Sequence, residues 1–524
     1  MTANRFGYVE ALAALESRGR FGIRLGLART RALLAALDHP ERTFRGALIA
    51  GTNGKGSVLA LTASALRAAG YRVGETPKPH LVTYRERLQI GGQPVDPETF
   101  ARIVGEVLAV ADRVARRYGD PTEFELLTAV TFRWFAESGI DLALVEVGLG
   151  GRLDATHVWD GGVAVVTNVA LDHMDRLGST VEAIAKEKAA IIMRGDLAVT
   201  GAWGSALEVI ERRSRRVAAP LTVTPPAPLR ASDRDGIEVE LGRLGRVRIG
   251  LRGRHQAGNV AVADATLDAL ESAGIGRVPG EARRVGYAAV RWPGRMELVE
   301  VAAGGPASGS ASGAAGSPGL AGSPGSAGLA GSPGLAGSPG LAGSPGLAGS
   351  PGLAGLAGLA GLAGSPGSAG LAGGREILLD GAHNPAAAMA LAEALDDIAP
   401  FLRPGRPTLV LAIMADKDVD GVVRALAGST LLRHARVICT APVGGRALPA
   451  DQLAARWRVL AGRAAEAVAA PAAALDAALS SGSGPVIVAG SLYLVGAARA
   501  ILVPDQLLVP DPPHIPSPQT EVVP

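Results

Sequence analysis

The chain is 524 residues long, room for two or three ordinary domains, and carries 52 Lys and Arg against 49 Asp and Glu. That near balance, +3 overall, leaves no basic block to mark a nucleic-acid partner. The single cysteine, Cys439, excludes an internal disulfide framework and a cysteine-rich metal site. With no signal-peptide core and no apolar stretch of membrane length, a cytoplasmic protein with no membrane partner is expected.

In chain order, the first strong signal is Ala50-Gly51-Thr52-Asn53-Gly54-Lys55-Gly56-Ser57. An apolar run at 47–50 precedes it and a helix-like stretch at 58–69 follows, with Gly70 as the stop. A strand, a glycine turn and a helix start aim backbone N–H groups at one point, which is a cradle for phosphate. Lys55 adds a point charge and Ser57 a hydroxyl for Mg²⁺. The spacing departs from the common phosphate-loop form because Gly56 separates the lysine from the serine, so a glycine-rich surface turn is the alternative.

Helices are expected at 97–118 and 123–138, and strands at 142–147 and 163–169. This alternation predicts an α/β fold built on a parallel sheet, with ligands beyond the carboxyl ends of its strands. Glu146 falls at one such end, before Gly148-Leu149-Gly150-Gly151-Arg152-Leu153-Asp154, and is a candidate Mg²⁺ ligand. His173 follows the next strand and is a second candidate, directly or through water. Ser179-Thr180-Val181-Glu182 reads as a capping box opening a helix that runs to 193. Residues 236–251 alternate as a hairpin, and 255–274 are helical and carry Asn259.

Glycine then recurs at every third position over 313–373, in triplets such as Gly316-Ser317-Pro318. This is the collagen period. Because many triplets are Gly-Leu-Ala without an imino acid, a low-complexity insertion is favoured over a trimerising triple helix. A second βα series follows, with strands at 376–380, 408–414, 437–440 and 486–489 and helices at 385–398 and 450–460. Asp380-Gly381-Ala382-His383-Asn384-Pro385 reads as a strand end, a turn and a helix capped by Asn384, which puts Asp380 and His383 at the strand tip. The proline-rich residues 504–524 are expected to be disordered.

Taken together, Gly51 to Ser57, Pro79-His80-Leu81 with Glu86-Arg87, Glu146 to Thr156, Leu171-Asp172-His173, Glu187-Lys188-Ala189, Trp292-Pro293-Gly294-Arg295, Asp380 to Pro385 and Asp416-Lys417-Asp418 resemble the folylpolyglutamate synthase/dihydrofolate synthase family of the Mur ligase superfamily. The resemblance runs from Ile23-Arg24-Leu25 to Ser491-Leu492-Tyr493 and leaves out the glycine triplets.

It implies an ATP-binding, P-loop-like domain at 1–295 and a smaller Rossmann-like glutamate-ligase domain at 296–503, interrupted by the insert at 302–374. It further implies an ATP-dependent, ADP-forming ligase that adds L-glutamate to dihydropteroate, to the γ-carboxylate of reduced folates, or to both, through an acyl phosphate. By the same resemblance Gly51, Thr52, Asn53, Gly54, Lys55, Gly56 and Ser57 hold ATP together with Asn259, Arg295 and Asp380. Ser57, Glu146, His173 and a carbamylated Lys188 serve two Mg²⁺ ions, and Lys55, Lys188, Asp380 and His383 act in catalysis. A monomer is expected. Three positions depart from the family pattern: Lys78 stands where serine is usual, His157 where asparagine is usual, and Ala190 where glycine is usual. The alternatives are another amino-acid ligase of the superfamily, a collagen-like structural protein on a ligase scaffold, or a nucleotide-binding protein without catalysis.

Overall fold

The computed structural model describes residues 7–19, 25–301, 374–442, 447–505 and 507–511. The glycine-triplet insert and the last part of the expected disordered tail lie outside the described residues. The first sheet comprises β1 (Gly46–Ala50), β2 (Val73–Thr76), β3 (Gln89–Ile90), β4 (Gln93–Pro94), β5 (Leu142–Glu146), β6 (Gly162–Val166), β7 (Leu197–Thr200) and β8 (Leu221–Val223). Their spatial order is β4-β3-β2-β5-β1-β6-β7-β8. All neighbours from β2 to β8 run parallel, and β3 with β4 adds an antiparallel margin.

Alternation along the strands explains why this sheet is covered twice. Ala47, Ile49, Leu142, Leu144, Val163 and Val165 point into one apolar cluster. Their neighbours Leu48, Ala50, Ala143, Val145, Ala164 and Val166 point into another on the opposite face. The helix Lys55–Ala68 covers the first face and is pressed by the helix Gly280–Ala289. The two helices meet at backbone distance: a side chain at Gly286 would strike the backbone of Ala65, and Ser64 Oγ donates to the Gly286 carbonyl at 2.7 Å.

A small antiparallel sheet follows, made of β9 (Leu229–Asp233), β10 (Gly236–Leu241) and β11 (Gly245–Ile249). The expected hairpin is present, with a third strand beside it. The last sheet holds β12 (Glu297–Val301), β13 (Arg375–Asp380), β14 (Thr408–Leu411), β15 (Arg436–Cys439), β16 (Glu466–Ala467) and β17 (Val486–Ala489), in the order β12-β13-β17-β14-β15-β16. It is parallel apart from β12 and lies in one compact unit with the first sheet.

Several expected boundaries move for local reasons. The phosphate-loop helix starts at Lys55, because Gly54 adopts φ 81° as its N-cap. The helix expected through 193 is Val181–Ala189, capped by Thr180, whose hydroxyl accepts from Ala183 N. The cap is therefore one residue later than the Ser179 box, and Glu182 stands too early in the helix to reciprocate. Residues 504, 505 and 507–511 of the expected tail are among those described, and Asp511 makes contacts with the first domain. The Asp511 carboxylate accepts from Tyr8 Oη, Thr83 Oγ1 and Tyr84 N, three charge-assisted hydrogen bonds at the end of this segment.

Strands β12 and β13 pair antiparallel with Val301 opposite Arg375, so the chain leaves and re-enters the sheet at facing positions. A two-residue Asn-Gly turn suits such a pair. Replacing residues 302–374 by that turn is expected to leave the fold and ATP-dependent turnover intact. It should raise thermal stability modestly, since each halving of a closed loop recovers about 0.6 kcal/mol of chain entropy. Calorimetry of the shortened protein beside the full chain checks this.

Candidate active site

Strand β1 is the centre from which the site is built. It lies between β5 and β6, with Ile49 opposite Glu146 and Ala50 opposite Val166. The phosphate loop therefore emerges flanked by Glu146 on one side and by the loop after β6 on the other. That second loop is laced to the first: Thr52 N donates to Asn168 O at 2.9 Å, Asn53 N to Asn168 Oδ1 at 2.9 Å, and Thr167 Oγ1 to Asn53 O at 2.7 Å. Glycine is required at the turn. A Cβ on Gly54 would collide with Asn259 Oδ1, and one on Gly51 with Thr167 Oγ1.

Every residue assigned a catalytic, ATP-binding or metal-binding role from the sequence lines one cavity of about 580 Å³, including Ser57, Asn259, Arg295, Asp380 and His383. Lys55 Nζ donates to Thr52 O at 3.2 Å and stands 3.8 Å from Glu146 Oε1. Burial pushes the Glu146 carboxyl up, and Lys55 opposes the shift most strongly. Lys188 is buried at the foot of the loop, where Nζ donates to Gly51 O at 2.9 Å. Burial, then the charge of Lys55, pulls its amine down to about 7. Asn259 Nδ2 donates to Gln256 Oε1 at 2.8 Å, and Arg295 donates to the Gly294 carbonyl at 3.0 Å. Asp380 accepts from Ala382 N and Met296 N, so its carboxylate also fixes the turn that presents His383. His383 Nδ1 lies 2.8 Å from Gly381 O, and burial lowers its ring to about 4. It is a neutral imidazole near pH 7, its Nδ1–H turned to the carbonyl and Nε2 left as an acceptor.

Sequence reading did not single out the residue that joins the two sheets. Asp172 sits after β6, beside His173. Its carboxylate takes Lys417 Nζ at 2.7 Å and Asn384 Nδ2 at 3.2 Å, and lies 3.9 Å from His383 Nε2. Asn384 Nδ2 also reaches Asn53 Oδ1 in the phosphate loop at 3.0 Å. Burial alone would raise the Asp172 carboxyl, but Lys417, His173 and His383 outweigh it and hold it at about 2. Lys417 Nζ further lies 3.3 Å from His173 Nε2, so that imidazole is engaged by an ammonium. Burial lowers the His173 ring, opposed by Asp172. The one signal in the sequence was that Asp172 and Lys417 belong to strings already noted; nothing in a separation of 245 residues says that they meet.

Lys78, marked in the sequence only as a departure, also enters the site. Its N–H donates to Glu146 Oε2 at 2.9 Å and its Nζ to the Glu146 carbonyl at 2.6 Å. Burial lowers its ammonium to about 8.

A depressed carboxyl stabilises the fold above its ordinary value of 3.8 and loses that contribution as pH falls toward the folded value. Asp172→Asn is expected to cost about 2 kcal/mol of unfolding free energy at pH 7. The gap to wild type should close between roughly pH 4 and pH 2. Urea unfolding across that range checks it, and a gap that stays constant would assign the effect to another cause.

Comparison with known proteins agrees with this arrangement. The Mur ligase middle domain matches residues 49–201, the Mur ligase glutamate ligase domain matches 369–492, and the collagen triple helix repeat matches 303–375. The dihydrofolate synthase/folylpolyglutamate synthase of Bacillus subtilis is 37% identical over 303 residues, covering 56% of this chain and 70% of that protein. A crystal structure of Mycobacterium tuberculosis folylpolyglutamate synthase, complexed with ADP and AMPPCP, superposes with a TM-score of 0.73 at 27% identity, over 95% of this chain and 99% of the other. E. coli FolC in complex with DHPP and ADP gives 0.69 at 26% identity, over 93% and 96%. Both domains are thus matched and the fold is shared over nearly the whole chain, and the chain belongs to the folylpolyglutamate synthase/dihydrofolate synthase family of the Mur ligase superfamily.

Proposed function

We propose that the protein joins L-glutamate to a pteroate-type acid at the expense of ATP, releasing ADP and phosphate. The acid is dihydropteroate, a reduced folate carrying a free γ-carboxylate, or both. The observation that carries this reading is the convergence of the phosphate loop, Glu146 and the His383 turn on one cavity. Relatives of the same fold bind ADP and DHPP, which supports it. Residues 1–295 and 296–503 form the two lobes in this reading, and the enzyme acts as a cytoplasmic monomer. Among the described residues no helix is long and apolar enough to cross a membrane.

The first half-reaction moves the γ-phosphoryl group to the acid. A carboxylate oxygen bonds to the γ-phosphorus, the bond to the bridging oxygen breaks, and ADP departs. Lys55 and the N–H groups of Gly51 to Ser57 hold the phosphates, with Asn259, Arg295 and Asp380 completing the nucleotide site. In the second half-reaction the glutamate nitrogen bonds to the acyl carbon, the carbon–oxygen bond to phosphate breaks, and the proton lost from nitrogen leaves with the phosphate. His383, neutral with Nε2 as an acceptor, orients the incoming amine. Drawing the lobes together around Asp172 excludes the water that would hydrolyse the acyl phosphate.

Oxygen donors at Glu146 and Ser57 fit Mg²⁺, which takes one or two protein ligands and completes its shell with phosphate and water. Among the described residues there is no cluster of three or more His, Cys, Asp or Glu that could hold an ion. His173 and a carbamylated Lys188 would hold a second ion. Bound Mg²⁺ neutralises charge on the transferring phosphoryl group.

Lys55→Ala is expected to reduce glutamate-dependent ADP release by about 10²-fold or more while leaving circular dichroism unchanged. Normal turnover in that variant would remove the phosphate-loop assignment. Because the Lys188 amine titrates at about 7, its neutral, CO₂-reactive form gains population as pH rises through that value. Native mass spectrometry in bicarbonate should therefore show an adduct of one CO₂ that grows above this pH, fades below it, and is missing in Lys188→Ala.

A further inference from the structure

Lys78 follows β2 and reaches the site from the side opposite the phosphate loop's own lysine. It is fixed at both ends by one residue, since its N–H donates to the Glu146 carboxylate and its Nζ to the Glu146 carbonyl. The bonded partner of the ammonium is thus a neutral oxygen. An ammonium carries three donors, so two remain beyond that bond. The Nζ also stands 5.1 Å from the centre of the Phe124 ring, which shields one side of it. Lys78 lines the main cavity and two smaller neighbours, one floored by Phe124 and Phe132 and one of about 220 Å³ walled by Trp292 and Leu492. It is therefore a partly accessible cation where three spaces meet, beside the acid at the end of β5.

The proposed reaction gives that position a purpose. A carboxylate must approach a triphosphate, and the two anions repel each other. Lys55 belongs by place to the phosphates, held at the start of their helix. A second cation, set across Glu146 from the first, is what the approaching carboxylate needs. We propose that Lys78 Nζ binds the carboxylate that is to be phosphorylated and so sets the affinity of the enzyme for its acid substrate. This rests on the ligase reading above. The serine usual in the family offers a hydroxyl there and no charge.

The test compares dihydropteroate with its methyl ester, which keeps the shape and removes the anion. Binding to the ADP-loaded full-length protein is measured by calorimetry for wild type, Lys78→Met, Lys78→Gln and Lys78→Arg. Wild type should prefer the acid by about tenfold or more, the range of a charged hydrogen bond. Lys78→Met and Lys78→Gln should bind both about equally, and Lys78→Arg should keep the preference. In steady state the KM for the acid should rise about tenfold in the neutral variants while the KM for ATP is unchanged. The Gln variant keeps a donor toward the Glu146 carbonyl, so it reports charge even where the Met variant misfolds. A preference for the acid that survives in Lys78→Gln overturns the proposal. So does an equal rise in KM for ATP, which would give the ammonium to the nucleotide. If wild type ligates glutamate to neither dihydropteroate nor tetrahydrofolate, the reaction itself is wrong and this inference falls with it.

Discussion

One half-buried carboxylate holds the two halves of this site together. Asp172 belongs to the first sheet's loops, yet its strongest partners, Lys417 and Asn384, belong to the second. Their separation in the chain means that this contact forms only when both sheets are in place. A charge so enclosed is costly unless it is paired and hydrogen-bonded on several sides, and here it is. The same arrangement makes the contact specific: an ammonium, an amide and an imidazole edge must all arrive at one point. Asn384 extends the knot to Asn53, so the position of the second sheet is read out at the phosphate loop.

Around that knot the site obeys a simple division. In the proposed reaction the first sheet supplies what binds phosphate, because its central strand ends in a glycine turn and a helix start. The second sheet, in the same proposed reaction, supplies what faces the incoming amine, because β13 ends in the Asp380 turn. Asp380 is used twice, as wall and as brace, since its oxygens tie Ala382 and Met296. Charges of like sign are crowded here. Burial first, and then the charge of Lys55, depresses the Lys188 amine.

Much of this was legible in the chain. The run ending at Ala50 and the glycines after it declare strand, cradle and helix by local chemistry alone. Glu146 was legible too, because a lone acid at the end of an apolar run has few other uses. Asn384 with Pro385 announced a helix start, and the helix is there. What stayed hidden depends on distant partners. Asp172 looked like a companion to His173, while its real counterpart stands in another sheet. The tail was read as disordered because it is rich in proline; the Asp511 carboxylate accepts three hydrogen bonds there, from Tyr8, Thr83 and Tyr84, that no local pattern encodes. Lys78 looked like a blemish in a motif, and only its distances to Glu146 show where it points.

The hairpin of β12 and β13 opens away from the chemistry. Arg375 stands at one end of its strand and Asp380 at the other, about 17 Å apart at the rise of an extended chain. Val301 and Arg375 thus stand at the far rim, and a largely buried strand lies between them and the Asp380 turn. A connection joined at Val301 and Arg375 is therefore attached a full strand's length away from the Asp380 turn.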